Sequence, residues 1–112
     1  MTTTGLTEAP PFRRVVAAAD IPEGKMLAIE LGTRSVLVCH TKEGWYAVDN
    51  ICTHAEARLN EGRLRGIRLV CPLHGAAFDC RNGQVLGAPA AAPLNSYPTR
   101  IRDEYVEIAI DD

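Results

Sequence analysis

The sequence predicts an all-β domain, an antiparallel β-sandwich or open barrel with loops extended from one end. Three observations lead there. Short β-branched and aromatic runs recur along the chain. Gly, Pro, Asn and Asp interrupt them at short intervals. No segment holds a helical period for three turns.

In chain order, strands are expected near Phe12–Val16, Lys25–Leu31, Ser35–His40, Trp45–Asp49, Ile67–Val70, Ala77–Cys80, Gln84–Leu86, Ser96–Arg102 and Tyr105–Ile110. Turns are expected at Pro22–Gly24, Gly32–Arg34, Lys42–Gly44, Asn82–Gly83 and Asp103–Glu104. Asn82–Gly83 carries the strongest hairpin signal, because a two-residue type I′ turn needs positive φ at both central positions. Two stretches break the pattern. In Asn50–Gly62, Ala55–Asn60 reads as a single helical turn, and Gly87–Leu94 is rich in Ala and Pro. Long irregular segments in a small β domain carry function or disorder. Residues 1–11 read as a flexible N-terminal tail and 12–110 as one domain.

Composition narrows the class. At 112 residues the chain has room for one core, and 46% hydrophobic residues are ordinary for a globular protein. No apolar run approaches the ~20 residues of a membrane span. The start, MTTTGLTEAPPF, lacks both the basic and the apolar part of a secretory signal, so a cytoplasmic protein is expected. Twelve basic against fourteen acidic residues give a net charge of −2, which speaks against non-specific nucleic-acid binding. In a reducing cytosol, Cys39, Cys52, Cys71 and Cys80 are expected to bind metal or be buried rather than to pair as disulfides.

Chemistry concentrates in Cys52-Thr53-His54 and Cys71-Pro72-Leu73-His74, separated by 16 residues. Each segment presents one thiol and one imidazole on turning backbone, so both side chains of a pair can face one centre. Three readings are open: two buried cysteines with two surface histidines, a structural zinc site, or an iron–sulfur cluster with two Cys on one iron and two His on the other. Zinc fingers pair like ligands on each arm, whereas these arms mix them.

The pattern C-x-H-x16-C-x2-H resembles that of Rieske-type [2Fe–2S] ferredoxins of bacterial aromatic-ring-hydroxylating dioxygenase systems. Trp45-Tyr46-Ala47-Val48-Asp49-Asn50-Ile51-Cys52-Thr53-His54 resembles that family's first arm and preceding strand. Cys71-Pro72-Leu73-His74-Gly75, followed by Phe78-Asp79 and Gly83, resembles the second arm and its hairpin. Gly87-Ala88-Pro89-Ala90 is similar to the proline loop covering the cluster, and the likeness runs over residues 12–110. It implies a Rieske fold with a two-loop cluster-binding subdomain, loops about 50–62 and 71–76 and a covering loop 87–94. It further implies one [2Fe–2S] cluster held by Cys52, His54, Cys71 and His74, and a monomeric electron carrier without catalytic residues. The implied partners are a flavoprotein ferredoxin reductase and a terminal oxygenase, with neither nucleic acid nor membrane. An alternative is the small Rieske-like subunit of an assimilatory nitrite reductase; another is a structural zinc-binding module.

With this ligand set the oxidised cluster carries no net charge, where four thiolates would make it a dianion. Reduction is therefore easier than in all-cysteine ferredoxins. Ala57 and Leu73 stand where the respiratory branch of the resembled family has a cross-loop disulfide, which points away from that branch. Gly75 lets backbone N–H groups approach the cluster sulfurs. Cys39 and Cys80 are expected to be buried thiols, His40 a solvent-facing strand end, Trp45 a core residue, and Glu61-Gly62-Arg63 an exposed turn. Ala55, Gly75, Ala76 and Pro89 are expected to rim the cluster, with Glu56 and Arg58 as a charged fringe.

Overall fold

A computed structural model describes residues 10–53, 56–73, 75–90 and 92–111. The N-terminal tail expected at 1–11 therefore falls almost wholly outside the described residues. Eleven strands follow one another among them: β1 (Phe12–Ala17), β2 (Met26–Leu31), β3 (Arg34–Thr41), β4 (Gly44–Asp49), β5 (Arg63–Arg65), β6 (Arg68–Val70), β7 (Ala77–Asp79), β8 (Val85–Gly87), β9 (Ser96–Tyr97), β10 (Thr99–Arg102) and β11 (Tyr105–Ala109). They form three antiparallel sheets, ordered β1-β11-β10, β2-β3-β4-β9 and β5-β6-β7-β8.

The second sheet is the middle layer, and β3 shows why. Val36, Leu37, Val38 and Cys39 are all fully buried, so this strand has no solvent face. Val36 and Val38 pack with Val106, Ile108 and Ile110 toward the β1-β11-β10 sheet. Leu37 and Cys39 face the other way, into a core with Leu59, Leu69, Phe78 and Cys80. A run of four apolar residues in a strand buried on both faces is the expected signature of such a layer. The third sheet, β5 to β8, thus hangs from the middle layer by an apolar core and carries the second Cys/His segment between β6 and β7.

Several expectations change. Asp103 (φ 52°) and Glu104 (φ 68°) are the described non-glycine residues with positive φ, so the turn of the type I′ kind joins β10 to β11 and not the Asn82–Gly83 pair. At Asn82–Gly83 the carbonyl of Asp79 accepts both the Asn82 N–H (3.3 Å) and the Gly83 N–H (2.7 Å), coiling the chain into a tighter local turn. Gly83 is needed there for a second reason: a Cβ would stand 2.1 Å from the Leu94 carbonyl oxygen. The strand expected over Ser96–Arg102 splits into β9 and β10 at Pro98, which has no N–H for a ladder. The helical turn expected at Ala55–Asn60 is a 3-10 turn over Leu59–Glu61.

Arg81 clamps the β7 end. Its Nε and Nη2 donate to Asp79 Oδ1 (3.0 Å) and Oδ2 (2.9 Å), and its backbone N–H also reaches Oδ1 (2.9 Å). The Arg81 hydrogen bonds hold the Asp79 carboxyl below its ordinary pKa, against the opposing effect of burial. A carboxyl depressed in the native state contributes stability above its unfolded pKa, and that contribution is lost as pH falls through the native value. Asp79→Asn is therefore expected to lower the melting temperature at pH 7 by about 5 °C, a difference that shrinks below about pH 4. Melting curves across that range check it; a pH-independent difference would contradict the assignment.

Candidate metal centre

The first Cys/His segment leaves the end of β4, and the second is the connection between β6 and β7. The two loops are closed by the same bonds. The Cys52 N–H donates to the Ala57 carbonyl (2.9 Å), and the Cys71 N–H donates to the Ala76 carbonyl (2.7 Å), five residues on in each case. The residue before each cysteine pairs with one seven positions later: Ile51 with Arg58, and Val70 with Ala77. The two segments thus repeat one pattern of closing bonds, despite their different Cys-to-His spacing.

Both cysteines are buried, 4% and 2% exposed, and share one core with Ala57, Leu59, Ala76, Ala90 and Leu94. Their thiols meet. Burial pushes the Cys71 thiol up, the Leu73 N–H pulls it back, and the neighbouring Cys52 thiol pushes it up again. The Leu73 N–H points at Cys71 Sγ from 3.5 Å, a donor suited to a thiolate. His54 and His74 lie outside the described residues, as does Ala55. Among the described residues no group of three or more His, Cys, Asp and Glu gathers as a metal site.

The described donors, Cys52 and Cys71, fit an iron–sulfur centre. Two buried sulfurs from two equivalent loops face each other, and side-by-side buried thiolates need a cationic centre to offset their charge. The other two cysteines form a separate pair. Cys39 and Cys80 are fully buried and hydrogen-bonded thiol to thiol, which raises Cys39 and lowers Cys80. They are core thiols, as expected.

The segment expected at 87–94 as a covering loop is bonded, through its described residues, to the first arm and to the turn after β7. Thr53 Oγ1 in the first arm donates to the Ala92 carbonyl (2.6 Å), and the Leu94 N–H donates to the Gly83 carbonyl (2.8 Å). Ala90 and Leu94 are buried, while Pro89, after a cis peptide, is exposed. Of the described members of the expected rim, Ala76 is instead fully buried, and Ile51 (38%) and Leu73 (45%) are exposed apolar residues beside the cysteines. Gly75 is exposed with φ 75°. Arg58 is half of an ion pair with Glu30 (3.5 Å) and also reaches Ser35 (3.4 Å), so its charge is engaged within the chain.

Sequence reasoning missed three features. Gly62 is not a plain exposed turn: a Cβ there would stand 1.9 Å from the carbonyl oxygen of Val70, the residue before Cys71. The residues just after it form β5, paired with β6. Asn50 is a wholly buried polar side chain at the foot of the first arm, and an isolated Asn ahead of Ile51 gives no sign of that. His40 is not simply solvent-facing; its Nδ1 meets the Ile21 carbonyl at 2.8 Å and its ring stacks on Trp45 at 3.8 Å.

Comparison with known proteins agrees with this geometry. The model of the Rieske [2Fe–2S] domain matches residues 12–98. The ferredoxin component of the naphthalene 1,2-dioxygenase system of Pseudomonas aeruginosa is 37% identical over 93 residues, covering 83% of this chain and 89% of that protein. A chain in the solved complex of reduced oxygenase and oxidized ferredoxin in carbazole 1,9a-dioxygenase superposes with a TM-score of 0.82 at 30% identity, covering 88% of this chain and 92% of that one. A putative small subunit of NADPH nitrite reductase superposes at 0.77 with 18% identity, covering 88% and 97%, a likeness of fold alone. With the family model matched over most of its length and its two cysteine loops built alike, this chain belongs to the Rieske [2Fe–2S] domain family.

Proposed function

We propose that this protein carries single electrons from an NAD(P)H-dependent flavoprotein reductase to a terminal oxygenase of the aromatic-ring-hydroxylating kind, working in the cytoplasm as a monomer. Cys52, His54, Cys71 and His74 hold its cluster. The observation that carries the reading is the pair of equivalent loops delivering two buried, mutually contacting thiols in a chain related over most of its length to dioxygenase ferredoxin components. When bound, the cluster supplies one reversible electron. The chain's own part is to hold the sulfurs dry, to point the Leu73 N–H at Cys71, and to keep the covering segment down through Thr53. Such a protein is an electron carrier and does not itself turn over a substrate. Among the described residues no helix is long and apolar enough to cross a membrane.

The environment also bears on the potential. The Thr53 hydroxyl is committed to the Ala92 carbonyl, and position 76 is an alanine, so neither residue offers a hydroxyl hydrogen bond to sulfur. Fewer such bonds make reduction harder. A potentiometric titration is expected to show one electron per chain with a midpoint at the low end of the Rieske range, on the order of −150 mV. A strongly positive midpoint at neutral pH would contradict this reading and favour a respiratory environment. The nitrite-reductase alternative rests on fold alone, and co-purification with a large sirohaem subunit would establish it.

A further inference from the structure

The two arms close alike at the cysteines but are anchored differently at their feet. The second leaves and re-enters paired strands, so the β6–β7 ladder fixes both of its ends. The first leaves β4 at Asp49 and returns through the 3-10 turn Leu59–Glu61, with Ile51–Arg58 as an isolated bridge in place of a ladder. Asn50 stands in that gap.

Its side chain is fully buried. Asn50 Nδ2 donates to Asn60 Oδ1 (2.9 Å) and to Ser35 Oγ (3.0 Å), while Asn50 Oδ1 accepts the Asn60 backbone N–H (2.9 Å). Its backbone N–H donates to the Ser35 carbonyl (2.9 Å), and its carbonyl accepts the Leu59 N–H (2.7 Å). The reciprocal pair with Asn60 imitates the two-bond exchange between opposed residues of an antiparallel ladder. The Ser35 bonds pin the same point to β3 in the middle sheet. A buried polar network satisfied to this degree rigidifies what it joins, and removing one member leaves the others unpaired.

We propose that Asn50 is the positioning residue of the first arm: it replaces the missing strand pair and thereby sets where Cys52 lies against Cys71. It acts through Ile51, the one residue between it and Cys52. The inference rests on the reading that Cys52 and Cys71 are cluster ligands. Ser35 ties the network onward to Glu30 (2.7 Å), so the foot of the arm is bonded through to the protein surface.

The test compares Asn50→Leu, which keeps the volume but removes the bonds, with Val38→Ala in the core on the opposite face of β3. Both lose stability, but only the first disturbs the arm. For Asn50→Leu, loss of the three side-chain hydrogen bonds predicts amide exchange at Leu59 about 10- to 100-fold faster than wild type, and cluster loss at least about tenfold faster. The paramagnetic spectrum of the reduced protein should broaden and its midpoint shift. Val38→Ala should leave spectrum and midpoint at wild type. If Asn50→Leu does not fold, Asn60→Ala at an exposed position removes one partner of the network and should move the same readouts less. Wild-type spectra and midpoints in these arm variants, or equal changes in Val38→Ala, would overturn the proposal. Full iron in Cys52→Ala would instead overturn the ligand reading, while leaving the Leu59 exchange result standing.

Discussion

Cys71→Ala and His74→Ala are expected to purify with less than about a tenth of the wild-type iron, where the wild type holds about two irons and two acid-labile sulfides per chain. The effect is large because in the proposed ligand set each iron has two protein ligands, and among the described residues no third His, Cys, Asp or Glu gathers with the two cysteines. Cys80→Ala provides the contrast. Its thiol is just as buried as that of Cys71, yet it pairs with Cys39 in the core between β3 and β7. That variant should lose stability by an amount ordinary for a small core truncation and keep its iron. Iron analysis of the three variants therefore separates two cysteine pairs that composition alone cannot tell apart. Stoichiometric iron in His74→Ala would remove that residue from the ligand set.

Leu73→Glu is expected to slow electron delivery to the terminal oxygenase by about tenfold while leaving iron content unchanged. Leu73 is 45% exposed in the second arm, two residues from Cys71, and only its backbone N–H engages the sulfur. The substitution thus adds a charge to the apolar surface beside the cluster without removing that bond. Transient redox contacts are small, below about 1,200 Å² in total, so one charge at their centre matters. Stopped-flow mixing of reduced ferredoxin with oxygenase over a range of ionic strengths checks this. Wild-type rates throughout would place the contact elsewhere.

What the sequence disclosed, and what it hid, divides along sequence distance. The two cysteine loops were legible because their signal is local: a thiol and an imidazole two or three residues apart suggest a ligand pair before any tertiary contact is known, and the structure brings Cys52 and Cys71 into one core. The strands of the middle sheet were legible for the same reason, since β-branched alternation is local. That Val36 to Cys39 is buried on both faces was not, because an apolar run reads the same in a two-layer or a three-layer stack. β5 escaped because it is three residues long and two of them are arginines, so no period could form. The tight hairpin was assigned to Asn82–Gly83, the stronger local signal, yet Asp79 claims those N–H groups, while β10 and β11 force Asp103 and Glu104 to positive φ. Asn50 is the clearest case. Its partners Ser35 and Asn60 lie 15 and 10 residues away, on a neighbouring strand and a 3-10 turn.

The proposed ligand set places two imidazoles and two thiolates on one cluster. Nitrogen hyperfine spectroscopy of the dithionite-reduced protein, grown with ¹⁵N-histidine, tests it most directly. Two coupled imidazole nitrogens and an average g value below that of the free electron are expected. A reduced spectrum without nitrogen coupling, or a colourless protein holding stoichiometric zinc, would contradict it.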